Sequence, residues 1–262
     1  MAIIRNKWKE CDLFSCTPFL SRALLLALLL VSTFAFAQKR VLYIGDSITD
    51  GAWGQPKKWN STSQERNHTD YNHIFGHGYM MISASTLMAD NPGEYECFNR
   101  GISGNTLLDL KNRWQEDAID LKPDYISILV GTNDVDQYLY NQEKPFDIKA
   151  WEVMLDSLIT DTYKQLPDVR FILCTPFVAK VGKRGEEANF ARRSQLVREC
   201  ADVVERVAKK RNAAVVPFNK LFAELTAPSL DYWCWDGIHP TPAGHKKMAD
   251  LWLDAFHLNY GK

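Results

Sequence analysis

Apolar residues along the chain fall into short β-rich runs that alternate with longer segments of helical periodicity. The runs are nearly continuous in apolar residues, which is typical of strands buried on both faces of a sheet. They cover residues 40–44, 95–98, 125–130, 170–174 and 213–217. Because strands and helices alternate, the sequence predicts an α/β fold with a parallel sheet and right-handed crossovers.

Two segments between the runs carry apolar stripes at helical spacing. One starts at Trp151 and continues through Leu155 and Leu158, and the other covers residues 196–207. We interpret both stripes as the core-facing sides of helices, since such stripes are rarely ligand sites. A last helix is predicted after Pro242, because proline is common in the first turn of a helix.

Composition is that of an ordinary globular protein. The chain has 262 residues, of which 46% are hydrophobic and 24% charged, and its net charge is -1. This length is enough for one sizeable core. A near-zero net charge offers no basic footprint, so we expect no nucleic-acid partner.

The first 37 residues differ from the rest. Basic residues precede an apolar run over residues 23–34, and Ala35-Phe36-Ala37 follows it. This order is typical of a secretory signal peptide, so we expect residues 1–37 to be removed and residues 38–262 to form one secreted or periplasmic domain. An uncleaved membrane anchor is the alternative. The run is short for a permanent span, so no stable membrane insertion is expected after cleavage.

Four cysteines remain after residue 37: Cys97, Cys174, Cys200 and Cys234. An exported protein can form disulfides. The wide, irregular spacing and the apolar surroundings favour buried free thiols instead. The sequence leaves the question open.

Three residues have the chemistry of a serine nucleophile with its base. Ser47 follows the first predicted strand directly, in Gly45-Asp46-Ser47. His239 could take the proton of a serine hydroxyl, and Asp236, three positions earlier, could hold the imidazole and stabilise its charged form. This combination indicates a hydrolase.

Donors for a developing oxyanion are expected at the same edge of the sheet. Gly101 and Asn133 each follow a predicted strand, and the carboxyl ends of parallel strands meet at one edge. The backbone N–H groups of Gly101 and Ser47 and the side-chain amide of Asn133 are the candidates. Taken alone, Gly101 and Asn133 are each more readily interpreted as turn residues than as functional ones.

Four sequence blocks, in order, resemble those of the SGNH hydrolases, also called GDSL-type esterases or lipases. They are Gly45-Asp46-Ser47, Asn99-Arg100-Gly101-Ile102-Ser103-Gly104, Gly131-Thr132-Asn133-Asp134 and Asp236-Gly237-Ile238-His239-Pro240. The G-x-S-x-G elbow of the α/β-hydrolases is absent around Ser47.

The resemblance implies both a fold and a set of roles. The fold would be a flavodoxin-like three-layer sandwich with a five-stranded parallel sheet, and no metal or organic cofactor would be needed. Ser47, Asp236 and His239 would form the triad, and Ser47, Gly101 and Asn133 the oxyanion hole.

Other polar residues near these blocks have structural interpretations. We expect Asp46 to cap the turn after the strand and Asp134 to support its loop. Arg100 could touch substrate or pair with an acid. His73 and His77, with His68 nearby, are poor metal ligands, since Gly76 argues against a shared helix face.

Long loops without regular structure are often functional, and residues 52–75 form such a segment. Its aromatic residues could wall a substrate pocket, and an ordinary packed surface loop is equally compatible. Trp233 and Trp235, beside Asp236, add aromatic surface suited to sugars.

The sequence therefore predicts a secreted serine esterase that removes acyl groups, acetyl above all, from a carbohydrate. A lysophospholipase or thioesterase acting on lipid esters, and an acyltransferase with a sugar acceptor, are the alternatives. A non-catalytic carbohydrate-binding protein is disfavoured because all triad residues are present. The partner is thus a small-molecule or glycan ester, and the oligomeric state is left open.

Overall fold

Five parallel strands form the single sheet of the computed structural model, which describes residues 37–141 and 146–261. The strands are β1 Lys39–Gly45, β2 Tyr95–Gly101, β3 Tyr125–Leu129, β4 Arg170–Cys174 and β5 Ala214–Val216. Their spatial order is β2-β1-β3-β4-β5, and every neighbouring pair is parallel. This is the flavodoxin-like order, so the predicted fold is confirmed.

Helices occupy the connections between the strands. They are α1 Ser47–Asp50, α2 Tyr79–Asp90, α3 Leu107–Asn112, α4 Trp114–Asp117, α5 Thr132–Asn141, α6 Ile148–Gln165, α7 Gly182–Glu186, α8 Phe190–Arg211, α9 Phe218–Glu224, α10 Leu230–Trp233 and α11 Pro242–Tyr260. Short 3-10 turns cover Ser63–Glu65 and Ile119–Leu121. The two predicted apolar stripes lie on α6 and α8, and their residues are buried. The predicted last helix is α11, which starts at Pro242 behind the capping side chain of Thr241.

The alternation of side chains along β1 builds the three layers. Val41 and Tyr43 point into one core, shared with α2 and α11, while Leu42 and Ile44 point into the other, shared with α6 and α8. All four are fully buried. Since both faces of β1 are covered, its continuous apolar run is what a central parallel strand requires.

The end of β2 differs from the prediction. The strand continues three residues beyond Phe98 and ends at Gly101, which pairs with Gly45 at the end of β1. The chain order reverses between β1 and β3, and the crevice outside such a switch point is where ligands bind in open α/β sheets.

The predicted signal peptide lies outside the described residues, apart from Ala37. Among helices of the described ranges, none has the length and apolarity needed to cross a bilayer. Cys97, Cys174, Cys200 and Cys234 are all buried free thiols, so the preference for thiols over disulfides is confirmed.

In the core that α2 and α11 share with the sheet, we expect the loss of the Trp252 side chain to reduce stability most. Its ring lies 4.6 Å from the Tyr43 ring, and its Nε1–H donates to Ser127 Oγ at 2.9 Å. Trp252→Ala should lower the free energy of unfolding by about 3–5 kcal/mol in denaturant titrations, because a cavity remains and the Ser127 hydroxyl loses its indole donor. Val153→Ala, at an exposed position, is the control and should change it by less than about 0.5 kcal/mol. Equal losses for the two variants would contradict this packing.

Candidate active site

Ser47 stands at the first position of α1, immediately beyond the end of β1. Asp46 forms the N-cap, and its Oδ1 accepts from the Ile48 N–H at 3.0 Å. The predicted capping role of Asp46 is therefore confirmed. Burial raises the pKa of this carboxyl to about 7. The cap fixes where the helix begins and so holds Ser47 at the carboxyl edge of the sheet.

His239 and Asp236 meet Ser47 from the far end of the chain. Ser47 Oγ lies 2.8 Å from His239 Nε2, and His239 Nδ1 lies 2.7 Å from Asp236 Oδ2. Asp236 Oδ1 also accepts from the backbone N–H groups of Ile238 and His239, at 2.9 and 2.7 Å. With Nδ1 donating to the carboxylate, Nε2 is free to accept the serine proton, as a nucleophile–base–orienter set requires.

Asp236 and His239 stabilise each other's charged forms. The hydrogen bond to Asp236 raises the pKa of His239 above its usual value, although partial burial opposes it. Burial of Asp236 favours its neutral form, but the hydrogen bonds from His239 and the backbone outweigh burial and lower the pKa of the carboxyl. Asp236 is thus held ionised, where it stabilises an imidazolium at His239.

Asp50, at the end of α1, joins three segments through one buried carboxylate. Arg66 binds it with two hydrogen bonds of 2.8 and 2.9 Å, and the backbone and hydroxyl of Ser103 donate to its Oδ2. Arg66 also donates to the carbonyls of Ser61 and Trp53. The nucleophile helix, the loop after β2 and the long segment after α1 are therefore fastened together at this carboxylate.

Gly101 does not sit where an oxyanion donor is needed. Its N–H already donates to Asn99 Oδ1 at 2.8 Å, and a Cβ at this position would lie 2.3 Å from the backbone nitrogen of Asp50. Gly101 is a glycine because α1 packs directly onto it. The expectation that it donates to an oxyanion is wrong.

Gly104, three residues further on, has the properties expected of an oxyanion donor. It has a positive φ of 82°, is half-buried, and its N–H has no hydrogen-bond partner among the described residues. Asn133 Nδ2 donates to the carbonyl of the neighbouring Asn105 at 3.1 Å, which brings the predicted amide donor beside this turn. The signal in the sequence was the second glycine of the same block, in a left-handed conformation that glycine adopts at no steric cost.

Asp134 and Arg100 act within the loops. Asp134 Oδ1 accepts from Leu107 N and from Trp151 Nε1 at 3.0 and 2.9 Å, which ties α3 and α6 to the start of α5. This is the predicted supporting role, and burial raises the pKa of the carboxyl to about 6. Arg100 lies 3.7 Å from Asp117, so the ion pair is the alternative that the structure favours.

A cavity of about 710 Å³ opens beside Ser47 and His239. One wall is the start of α2 with the two residues before it, and the other is the segment that carries His239. Among its lining residues are His77, Met81, Ile82, Trp235, Pro242 and His245. The indole of Trp235 is 64% exposed, and its ring lies 6.4 Å from that of His239 in a stacked orientation.

The aromatic residues of segment 52–75 do not line this cavity. Trp53 is fully buried, and its Nε1–H donates to the Gly101 carbonyl. Trp59 is 68% exposed and rests against Gly104. The alternative of a packed loop therefore applies to Trp53, while Trp59 alone stays at the rim of the site.

The histidines of this region pair with protein groups. His73 Nδ1 lies 2.7 Å from Asp70 Oδ2, and His68 Nε2 lies 2.8 Å from the Ser63 carbonyl. Across residues 37–141 and 146–261, no three His, Cys, Asp or Glu side chains come together in a group suited to a metal ion.

Arg66→Met should lower the free energy of unfolding by about 3–5 kcal/mol, because it leaves the Asp50 carboxylate buried without a counter-charge. The side chains of Arg66 and Asp50 are 0% and 2% exposed. Arg206→Met, which removes an exposed partner of Glu152, is the matched control and should cost less than about 1 kcal/mol. Denaturant titrations measure both. A loss for Arg66→Met as small as that of the control would contradict the role of the buried pair.

Comparisons with known proteins agree with this geometry. The model of the GDSL-like lipase/acylhydrolase family matches residues 43–247. An acetylxylan esterase of Geobacillus stearothermophilus is 34% identical over 223 residues, which cover 82% of this chain and 92% of that protein. An acetylxylan esterase of Xylanibacter ruminicola is 27% identical over 81% of this chain, and this match covers 42% of that protein.

Solved structures give the same picture. A putative GDSL-like lipase of Parabacteroides merdae superposes with a TM-score of 0.72 at 29% identity, covering 84% of this chain and 96% of the other. The Geobacillus esterase superposes with a TM-score of 0.67 at 31% identity, covering 83% and 93%. Catalytic mutants of that esterase replace a serine, an aspartate and a histidine, and the aspartate precedes the histidine by three positions.

The family match spans most of the chain, the relatives cover more than four fifths of it, and the blocks that carry the match meet at one edge of the sheet. The chain therefore belongs to the GDSL-like lipase/acylhydrolase family and is a carboxylic ester hydrolase.

Proposed function

We propose that this protein is an exported esterase that removes acetyl groups from a carbohydrate through an acyl-enzyme on Ser47. The observation that carries the proposal is the unbroken chain of contacts from Ser47 Oγ through His239 to Asp236, at 2.8 and 2.7 Å, at the mouth of an open cavity. The spacing of the aspartate and histidine equals that of the residues replaced in the catalytic mutants of the Geobacillus esterase.

The reaction follows from the positions of these atoms. His239 Nε2 takes the proton of Ser47 as its Oγ attacks the ester carbonyl, and Asp236 stabilises the resulting imidazolium. His239 then gives the proton to the leaving alcohol oxygen, and the acetyl group stays on Ser47. A water molecule, deprotonated by His239, attacks the acyl-enzyme and releases acetate.

The oxyanion that forms from the ester carbonyl needs hydrogen-bond donors on the side of Ser47 away from His239. We assign them to the Ser47 N–H, the Gly104 N–H and the Asn133 side-chain amide. No partner for the first two N–H groups is found among the described residues, and Asn133 is oriented by its contact with Asn105. Donors held in place before the reaction are worth more than mobile ones, because they do not have to reorganise as charge develops.

Three observations favour an acetylated carbohydrate outside the cell. The two curated relatives are acetylxylan esterases. Two exposed indoles, Trp59 against Gly104 and Trp235 beside His239, offer flat surfaces of the kind that sugar rings stack on. Residues 1–37 have the sequence pattern of an export signal.

A lipid ester hydrolase is the second candidate, favoured by the apolar side chains of Met81 and Ile82 in the cavity wall. A series of 4-nitrophenyl esters of increasing acyl length separates the two. An acetyl esterase should lose activity steadily beyond short chains, whereas a lipid hydrolase should gain it.

Acetate release from acetylated xylan tests the proposed function. Ser47→Ala should abolish it, and Asn133→Ala should lower kcat by about 10²–10³-fold with the fold intact by circular dichroism. Asn259→Ala, an exposed asparagine on α11, is the control and should retain wild-type rates. Acetate release by Ser47→Ala, or wild-type kcat in Asn133→Ala, would contradict the assigned roles.

The pH dependence gives a second test. Activity needs neutral His239, so kcat/KM should rise as pH rises through the pKa of His239, which Asp236 places above the usual imidazole value. Asp236→Asn removes the negative charge, so it should move this rise to lower pH and cut kcat by about 10⁴-fold. Rate profiles and an NMR titration of the His239 ring measure the two effects. Asp231→Asn, at an exposed carboxylate, should move neither, and an unchanged His239 pKa in Asp236→Asn would contradict the assignment.

A further inference from the structure

A histidine outside the triad, His245, faces the same cavity as Ser47 and His239. It lies in the first turn of α11 and is half-buried. Its ring packs on Gly78, where a Cβ would lie 3.0 Å from its Cε1. The steps of acyl transfer described above use no atom of this ring, so it borders the substrate space without an assigned role.

The environment of His245 fixes which ring nitrogen carries the hydrogen. Nδ1 accepts from the backbone N–H of Tyr79 at 3.1 Å. That N–H is the first of α2, and the N-cap residue Gly78 has no side chain to accept it, so the imidazole supplies the cap. A backbone N–H can only donate. The accepting nitrogen is therefore unprotonated, and the hydrogen of the neutral ring is on Nε2.

The ring also stays neutral over the working range of an esterase. Burial above all, together with the neighbouring His77 and His239, lowers the pKa of His245 to about 4. Among the described residues no acceptor is found for Nε2. The wall around it includes Met81, Ile82 and Pro242. Among the described residues, Nε2 is not one of the fully buried side-chain atoms that lack a partner, so in the open cavity its N–H is available to water or to a bound molecule.

The cavity borders the base and not the oxyanion donors. Its lining includes His239, which would return the proton to the leaving alcohol, with Trp235 and Pro240 from the same segment. Gly104 and Asn133, on the side of the oxyanion, are not part of the lining. The volume of about 710 Å³ is within the range of small-molecule sites and far exceeds what an acetyl methyl group needs.

We propose that the Nε2–H of His245 donates a hydrogen bond to a hydroxyl or ring oxygen of the sugar that carries the ester, and so selects carbohydrate alcohols over hydrocarbon alcohols of the same size. The inference rests on the proposed function and deepens it. An alcohol without an acceptor oxygen leaves this donor unpaired when it displaces water from the cavity, and the site discriminates against it for that reason.

Two substitutions separate the capping nitrogen from the donating one. Asparagine places its amide oxygen near the position of Nδ1, so His245→Asn keeps the cap of α2 and loses the Nε2–H. Glutamine reaches the position of Nε2 with its amide nitrogen, so His245→Gln keeps the donor and loses the cap. His257→Gln, at an exposed histidine of the same helix, is the matched control.

The measurement is the ratio of kcat/KM for a mono-O-acetylated methyl xyloside to that for cyclohexyl acetate. In His245→Asn the ratio should fall about tenfold, as expected for one neutral hydrogen bond, with Tm close to that of the wild type. In His245→Gln it should stay within about threefold of wild type, while Tm falls by a few degrees because the helix has lost its cap. His257→Gln should change neither quantity.

A wild-type ratio in His245→Asn, or an equal loss in the asparagine and glutamine variants, would overturn the proposal. If a variant does not fold, ¹⁵N spectra of the wild-type enzyme decide. They should show the Nε2–H tautomer of His245 from about pH 6 to 8 and a shift of that N–H on adding methyl xyloside, and an Nδ1–H tautomer would overturn the proposal. If the wild type cleaves cyclohexyl acetate and not the acetylated xyloside, the sugar function itself fails, which is a separate result.

Discussion

The carboxylate of Asp50 is the point on which the geometry of the site depends. Its two oxygens hold the guanidinium of Arg66 and the backbone of Ser103, so a helix of four residues, a loop and a long irregular segment share one anchor. A buried pair of this kind costs desolvation energy and gives little net stability. Its value here is geometric. The serine at the start of α1 and the turn that offers the Gly104 N–H are both positioned relative to the same two oxygen atoms.

Much of this arrangement was accessible from the sequence because it follows from periodicity. The continuous apolar run of β1 demanded cover on both faces, and the stripes of α6 and α8 supply one layer of it. Three polar blocks after strands then had to converge, since parallel strands end at one edge. The pairing of Asp236 with His239 was equally predictable, because two intervening residues leave the carboxylate within reach of both the ring and the backbone N–H of the same histidine.

The errors in the sequence prediction also have physical causes. The apolar run in the sequence stops at Phe98, which predicts that Gly101 lies in a loop, while β2 in fact continues through Asn99 and Arg100. Both polar side chains are nearly buried: Asn99 bonds to the carbonyls of Thr49 and Asp50, and Arg100 lies over the ring of Trp53. A stretch of polar residues that form hydrogen bonds inside a strand has the same sequence pattern as a loop. The sequence also could not predict which segments line the cavity, because this depends on how α2 and α11 pack.

The two walls of the cavity differ in how closely they are connected to the triad. The segment from Trp235 to His245 carries His239, the proposed base, as well as one wall of the cavity, so an insertion or a shift there would alter the proposed substrate surface and the proton path together. Met81 and Ile82, on the opposite wall, have no hydrogen bond to the triad, and the first N–H of their helix is held by His245, at the far end of that segment from His239. During divergence or laboratory evolution, this wall is the one that can be rebuilt for a new alcohol while the reaction is left untouched. The fold thus divides its active site into a part that is free to change and a part that is not.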